Sequence, residues 1–435
     1  MTLNLDRRQF GASFIATAFA GLTASGCVTR RETGGVAGYG ALVEDPNGLV
    51  DLPQGFSYRV ISALGEPMDD GEPVPDNADG MGVFTGAGGR LILVRNHELK
   101  AHQPSRVTGT AYDHRGGIGL PGGTTTIVYN PASGRVERQH RSLAGTIRNC
   151  AGGTTPWRTW LSCEEDTSKP DGKIARDHGW VFEVPADHTG RVDPVPIKAL
   201  GRFNHEAAAV DPATGIVYLT EDRDDSLLYR FLPYMRGRLA RGGRLQALAL
   251  RDGRRDSRNW TRADFAVRQP APAYWLDVTS VESPGDNLRH QGAEKGALLF
   301  ARGEGIHMGR GEVYFACTSG GAARLGQIMR LRIGRGDRPD ALDLFFESTA
   351  PDQFNYGDNL TVAPSGDLYV CEDQYTDVVD NYIRGIRPDG TPFPFARLRL
   401  QTEWAGACFS PNGQTLFVNA FSPAKTLAIT GPFRS

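Results

Sequence analysis

The sequence predicts an all-β chain, a six-bladed β-propeller, and three observations carry that expectation. Gly (54) and Pro (27) are abundant among the 435 residues and divide the chain into short apolar runs, which is the pattern of many strands and turns rather than long helices. Segments of one form recur along the chain, each a small-residue strand, a Gly or Pro turn, and a second strand rich in β-branched, aromatic or Leu residues. Acidic residues gather where these segments begin and end.

In chain order, residues 1–27 are set apart first. Arg7 and Arg8 precede Phe10 and a weakly apolar, Ala-rich stretch too short and mild to span a bilayer permanently, so this part reads as a twin-arginine export signal and lies outside the fold. Cys27 follows Ala24, Ser25 and Gly26 and is a candidate for acylation, the one membrane attachment expected. Residues 28–50 read as a tether and 51–435 as the propeller domain. The expectation is a periplasmic or otherwise exported monomer that meets the twin-arginine translocase on its way out. A closed ring of blades needs no partner to cover sheet edges.

Six hairpins follow, at 79–98, 149–165, 205–222, 302–320, 358–373 and 403–421, with irregular spacing that leaves room for two further strands in each unit. Small residues in the first strand of each suit the crowded innermost position around an axis. The Arg-rich stretch 234–260 reads as outer strands and a solvated loop. Formal net charge is −2, and no basic run is interleaved with aromatics, which excludes nucleic acid as a partner.

In an antiparallel hairpin the start of the first strand lies beside the end of the second. If the hairpins are blades, their ends meet at one mouth of the axial channel. That set is Asp79, Asn96, His97, Glu98, Cys150, Glu164, Glu165, His205, Glu206, Glu221, Asp222, Arg302, Glu304, Asp358, Asn359, Glu372, Asp373 and Glu403. Two ionised carboxylates about 4 Å apart repel by roughly 4 kcal/mol at an effective dielectric near 20. So many in one funnel require protons or multivalent cations. Hard oxygen ligands favour calcium, magnesium, manganese or ferric iron, and a thiolate at Cys150 biases one position toward iron or zinc.

Other cysteines carry less. Without Cys27 five remain, an odd number, so they cannot all pair; Cys163, Cys317 and Cys371 lie inside apolar strands as small buried thiols. His97 and His205 each neighbour a better ligand and read as groups that orient it or as core histidines. Arg302 stands two residues before Glu304, on the same strand face, where a guanidinium suits an anionic substrate and above all a phosphate.

The motifs "LPQGFSYRVIS", "VRNHEL", "RNCAGGTTPWRTWLSCEE", "HEAAAVDPATGIVYLTEDR", "ARGEGI", "DNLTVAPSGDLYVCED" and "EWAGACFSPNGQTLFVN" together resemble the PhoX-type alkaline phosphatases over nearly the whole chain after the signal. The resemblance implies a twin-arginine-exported β-propeller that hydrolyses small phosphomonoesters with a mixed cluster of ferric iron and calcium. It implies that Cys150 is the iron-binding thiolate and that Glu206 supports the iron pair. By the same resemblance Asn96, Glu98, Glu164, Glu165, Glu372 and Asp373 hold irons or calciums, while Arg302 contacts substrate phosphate with Glu304 beside it on the metals. Glu221, Asp222 and Glu403 are carried over mainly on hairpin position. Arg158 departs from the pattern, where Gly is usual after "TPW", so loops that shape substrate access are expected to differ.

Two other functions fit parts of this pattern. A propeller lactonase or calcium esterase would use Asn96, Asn359 and Asn419 at an axial metal but leaves Cys150 and Arg302 without a role. A non-catalytic, calcium-stabilised exported propeller would bind a partner or glycan at its mouth. No Ser nucleophile elbow or Walker loop is present.

Overall fold

The computed structural model describes residues 38–374 and 380–434. These form an all-β, propeller-like arrangement, with one short α-helix, Leu288–Lys295, among the described residues. The export signal and the first part of the tether lie outside the described residues. The tether's described part is packed rather than loose. Leu42–Val43 pairs with Val50–Pro53, which pairs in turn with Pro392–Leu398, and Tyr39 stacks edge-on against Phe56 and Phe395.

All six expected hairpins are present among the described residues. Their first strands are Ala78–Thr85, Asn149–Thr154, His205–Val210, Gly303–Met308, Gly357–Val362 and Trp404–Phe409. Their second strands are Leu91–His97, Thr159–Glu164, Val217–Glu221, Glu312–Cys317, Leu368–Glu372 and Thr415–Ala420. The first strands neighbour one another in sequence order, and the sixth returns to the first. Their small residues are required by this circuit: a Cβ on Gly80 would stand 2.5 Å from Ala151 Cα, one on Gly305 2.6 Å from Asn359 Cα, and one on Gly153 1.9 Å from Ala208 O.

Outer strands extend each hairpin. Those of the third and fourth merge into one nine-stranded sheet through Ala271–Asp277, and the Arg-rich stretch supplies Gly243–Leu250 to it. The sixth hairpin is completed from the other end of the chain, where Lys425–Thr430 pairs with Ser57–Ala63. Apolar side chains fill the spaces between neighbouring sheets. Val94, Trp160 and Phe182 lie between the first and second, Leu161, Val210 and Leu219 between the second and third, and Leu93, Ile127 and Phe417 between the sixth and first. The core is thus a set of wedges around the axis rather than one central mass.

Every hairpin carries the same irregularity. Its register gains one residue in the first strand just past the acidic end, between Ala78 and Met81, Asn149 and Gly152, His205 and Ala208, Gly303 and Ile306, Gly357 and Leu360, and Ala405 and Cys408. A β-bulge of this kind re-aims the side chain beside it. In the first five hairpins the residue that opens the bulge is Asp79, Cys150, Glu206, Glu304 or Asp358.

Candidate metal and substrate site

Those five residues occupy equivalent places around the axis; the sixth hairpin has Ala405 there and contributes Glu403 from just before its strand. A second equivalent place follows the end of each second strand and holds Glu98, Glu165, Asp222, Thr318, Asp373 and Phe421. Its backbone is fixed identically in all six. The N–H of each donates to the carbonyl of the residue two before the bulge opening, Asn77, Arg148, Asn204, Arg302, Tyr356 and Glu403, at 2.8–3.2 Å.

From these two places the acids converge. Four groups bring one ligand atom per residue within 4.8 Å of one another: Glu98, Cys150 and Glu165; Asp79, Glu98 and Glu403; Glu206, Glu304 and Asp358; and Asp358, Asp373 and Glu403. Cys150 Sγ links the groups, lying 3.1 Å from Glu206 Oε1 and 3.5 Å from Asp79 Oδ2. All but Asp373 are buried. Burial first, then Glu304, Asp358, Glu165 and Asp79, pushes the Glu206 carboxyl well above its ordinary range. Glu403 is raised in the same way by burial and by Asp373, Asp79 and Asp358, and the Cys150 thiol by burial, Asp79 and Glu206.

Glu206 Oε2 is buried with no hydrogen-bond partner among the described residues. A buried acceptor facing other acids is the position a cation completes. The donor set therefore fits metal ions: clustered carboxylate oxygens with one sulfur.

The acids one residue earlier in the chain are used differently. Glu164 accepts from Ile147 N at 3.0 Å, His178 Nδ1 at 2.6 Å, Gly179 N at 3.0 Å and Trp180 N at 3.2 Å. Glu372 accepts from Asn355 N, Tyr382 N and Arg384 Nε and, being buried, is raised to about 7. Glu221 accepts from Tyr229 Oη at 3.0 Å and faces Arg289 at 3.6 Å; burial raises it to about 8. None of the three belongs to the four clustered groups. The geometry places them within the sheets, where they hold strand ends and loops, and not among the converging acids as the resemblance implied. Consecutive strand residues face opposite sides, so of two adjacent acids one turns away.

Asn96 is placed in the same way. Its Nδ2 donates to Ala151 O at 2.7 Å and Cys150 O at 3.3 Å, while its Oδ1 accepts from Trp160 Nε1 and Ser162 Oγ. Its amide is fully used in tying the first hairpin to the second. Two equivalent side chains do likewise: Thr220 Oγ1 donates to Glu304 O and Asn419 Nδ2 to Asp79 O, both at 2.6 Å. These clamps fix the carbonyls of Cys150, Glu304 and Asp79 and hence the aim of their side chains. His97 and His205 are core histidines. His97 bonds Asp76 O and Thr125 Oγ1, and His205 donates from Nε2 to Gly201 O and stacks on Phe203 with ring centroids 3.6 Å apart. Burial holds both rings neutral.

Arg302 reaches over the acids. Its Nε and Nη2 donate to the two oxygens of Asp222 at 2.8 and 3.2 Å, and Nη2 donates to Glu304 Oε1 at 2.6 Å. Asp222 is thus the partner of Arg302 and stands outside the four clustered groups. Arg148 escaped the sequence reading. It donates to Glu98 Oε1 at 2.9 Å and to Glu165 Oε2 at 2.6 Å. The signal was available, since Arg148 precedes Cys150 by two residues as Arg302 precedes Glu304. Asp79 and Asp358, placed at the mouth but given no ligand role from the sequence, belong to the clustered groups. Arg158 lies at the turn end of its hairpin, away from the acids, at φ +67°, and bonds Asp187. A left-handed backbone explains why Gly is usual there, and its position removes it from substrate access.

A propeller-like all-β chain that gathers buried acids, one cysteine and an arginine at one mouth has the make-up of a metal-dependent hydrolase. Residues 37–424 match the family profile described as alkaline phosphatase PhoX. The chain belongs to that family and is a phosphomonoester hydrolase. A search of curated protein sequences gave no match. Among solved structures it is similar to Pseudomonas fluorescens PhoX in complex with vanadate, a transition state analogue, at 20% identity and TM-score 0.68, over 88% of this chain and 96% of that one. Weaker likenesses are to the WD40 β-propeller domain of Doa1 (10% identity, TM-score 0.42, 87% of this chain and 98% of that one) and to XC5397, a gluconolactonase from Xanthomonas campestris (13% identity, TM-score 0.38, 84% of this chain and 99% of that one).

Proposed function

We propose that this phosphatase is a six-bladed propeller whose acid well holds a mixed cluster of ferric iron and calcium, and that it acts in the periplasm after twin-arginine export. One observation carries the cluster: nine side chains, eight carboxylates and Cys150, converge, all but Glu403 from two equivalent places and all but Asp373 buried. The closed circuit of first strands and the apolar wedges between neighbouring sheets support six blades. Family membership supports iron and calcium, with Cys150 as thiolate on iron. Export, a lipid on Cys27 and a monomeric state rest on the sequence.

When bound, such cations polarise phosphoryl oxygens and neutralise charge that develops during in-line displacement at phosphorus. The chain's own groups do the rest. Cys150, Asp79, Glu98, Glu165, Glu206, Glu304, Asp358, Asp373 and Glu403 hold the cations. Arg302 offers its fork to the phosphate, aligned by Asp222 and Glu304. Glu304 thus serves as both ligand and positioning residue. The lactonase reading weakens because Asn96 and Asn419 use their amides on backbone carbonyls.

The test is phosphate release from an aryl phosphomonoester at alkaline pH, with iron and calcium supplied and an EDTA-treated arm. Turnover that EDTA abolishes is expected. Folded, metal-loaded protein without turnover would overturn the reading.

A further inference from the structure

We propose that Arg148 is a second anion-gripping residue, which with Arg302 brackets the substrate phosphate from two sides of the well; this rests on the phosphatase reading above. Arg148 and Arg302 occupy the same place in their hairpins, two residues before Cys150 and Glu304. Their carbonyls accept equivalent hydrogen bonds, from Glu165 N at 2.8 Å and Thr318 N at 3.1 Å. Both have a left-handed backbone, φ +46° and +53°, shared with Asn77 and Tyr356 at the same place in the first and fifth hairpins, so the conformation belongs to the hairpin's entry. The same backbone at the same place sends both side chains over the mouth.

Burial and chemistry separate the pair from their surroundings. The acids beneath are almost wholly enclosed, whereas Arg148 and Arg302 remain 16% and 21% exposed and form part of the surface an incoming ester meets. Each guanidinium is aligned by acids of two hairpins: Arg302 by Asp222 and Glu304, Arg148 by Glu98 and Glu165. The two forks stand on the second and fourth hairpins, with Glu206 of the third between them. Arg148 donates from Nε to Glu98 and from Nη1 and Nη2 to Glu165, so it grips an anion resting on the cations held by Glu206 by turning donors from these acids as the acids turn to the cations, and a planar donor group then stands on either flank. At the equivalent places the other hairpins carry Asn77, Asn204, Tyr356 and Glu403, none of them cationic.

The experiment uses metal-loaded full-length protein as wild type, Arg148→Gln, Arg148→Lys and Arg302→Lys. It measures the inhibition constants of inorganic phosphate and vanadate, the calorimetric affinity for phosphate, kcat and KM for an aryl phosphate, and bound iron and calcium. Arg148→Gln is expected to keep its metals and to weaken phosphate and vanadate binding about tenfold or more. Arg148→Lys should fall between, because it keeps the charge and loses the fork. Unchanged anion affinity in Arg148→Gln beside weakened affinity in Arg302→Lys would overturn the proposal while leaving the phosphatase reading intact. So would loss of metal from Arg148→Gln with normal anion affinity per loaded site, which would make Arg148 a counter-charge for the ligands. A wild type that neither binds nor releases phosphate would overturn both readings.

Discussion

Glu164 and Glu165 are consecutive and both buried, yet the first accepts four hydrogen bonds inside its sheet while the second meets Glu98 and Cys150 over the axis. Glu372 and Asp373 divide in the same way, and Glu221 and Asp222 nearly so, with Asp222 aligning Arg302. One acid of each pair works for the fold and the other for the chemistry. The difference is one of partners rather than burial. An acid given N–H donors and a cation from the chain has its oxygens met within the sheet, whereas one facing other acids needs an ion from outside.

Changing each acid alone separates the two roles. Glu206→Gln removes a carboxylate of the well, so metal content measured by mass spectrometry should fall and turnover drop by about 1,000-fold, the scale of losing a stabiliser of transition-state charge. The thermal midpoint of the metal-free variant should not fall, since a repelling charge has gone. Glu164→Gln should do the reverse. It strips the anion from buried His178 and is expected to destabilise by about 3 kcal/mol in denaturant titration, with metal content and turnover per folded molecule near wild type. Should Glu164→Gln lose metal while stable, the division of labour drawn here is wrong.

Arg302→Lys sharpens the catalytic side. Losing the fork while keeping the charge should lower kcat/KM by about 10- to 100-fold, the worth of one charge-assisted hydrogen bond.

Removing metal makes stability depend on pH through acids of both kinds. Glu206 and Glu403 titrate well above the ordinary carboxylate range when folded, chiefly through burial, and Glu372 and Glu221 at about 7 and 8. A pKa higher in the folded than in the unfolded chain favours folding at low pH and loses that benefit as pH rises through the folded value. The thermal midpoint of EDTA-treated protein should therefore fall between about pH 5 and 9, and iron with calcium should restore it most at the alkaline end. His178 follows the same trend and extends it to higher pH. Burial alone would lower it, but Glu164 and Asp113 hold it at about 10, so its contribution lasts until pH rises through that value. The smallest effect is expected of Cys163→Ala. Its thiol lies in the apolar wedge between the second and third sheets, so stability should drop by about 1 kcal/mol and metal content should not change.

The hairpins and their acidic ends were legible because Gly, Pro and β-branched residues mark turns and strands locally. Which acid of "EE" or "ED" faces the axis was not, because that depends on where the second strand ends, with Glu164, Glu221 and Glu372 its last residues, and on which donors come to meet each acid. Asn96 reads as a ligand beside Glu98 for the same reason, and only its contacts with Ala151 and Trp160 reveal a clamp. Glu164 resembled its neighbour until Gly179, Trp180 and His178, distant in sequence, came to meet it. Arg148 stands two residues before Cys150 as Arg302 does before Glu304, but only its contacts with Glu98 and Glu165 reveal it as part of the site.

The pairing of Ser57–Ala63 with Lys425–Thr430 bears on the order of events during synthesis. Asp79 and Glu98 leave the ribosome early and Glu403 late, yet the three meet in one group. A growing chain therefore offers Asp79 and Glu98 without Glu403, and the group is completed only when the sixth hairpin, joined to Ser57–Ala63 through the last strand, settles against the first. Iron or calcium supplied to a nascent or C-terminally shortened chain should find the two groups that use Glu403 incomplete, and capture by the whole set must follow closure of the ring.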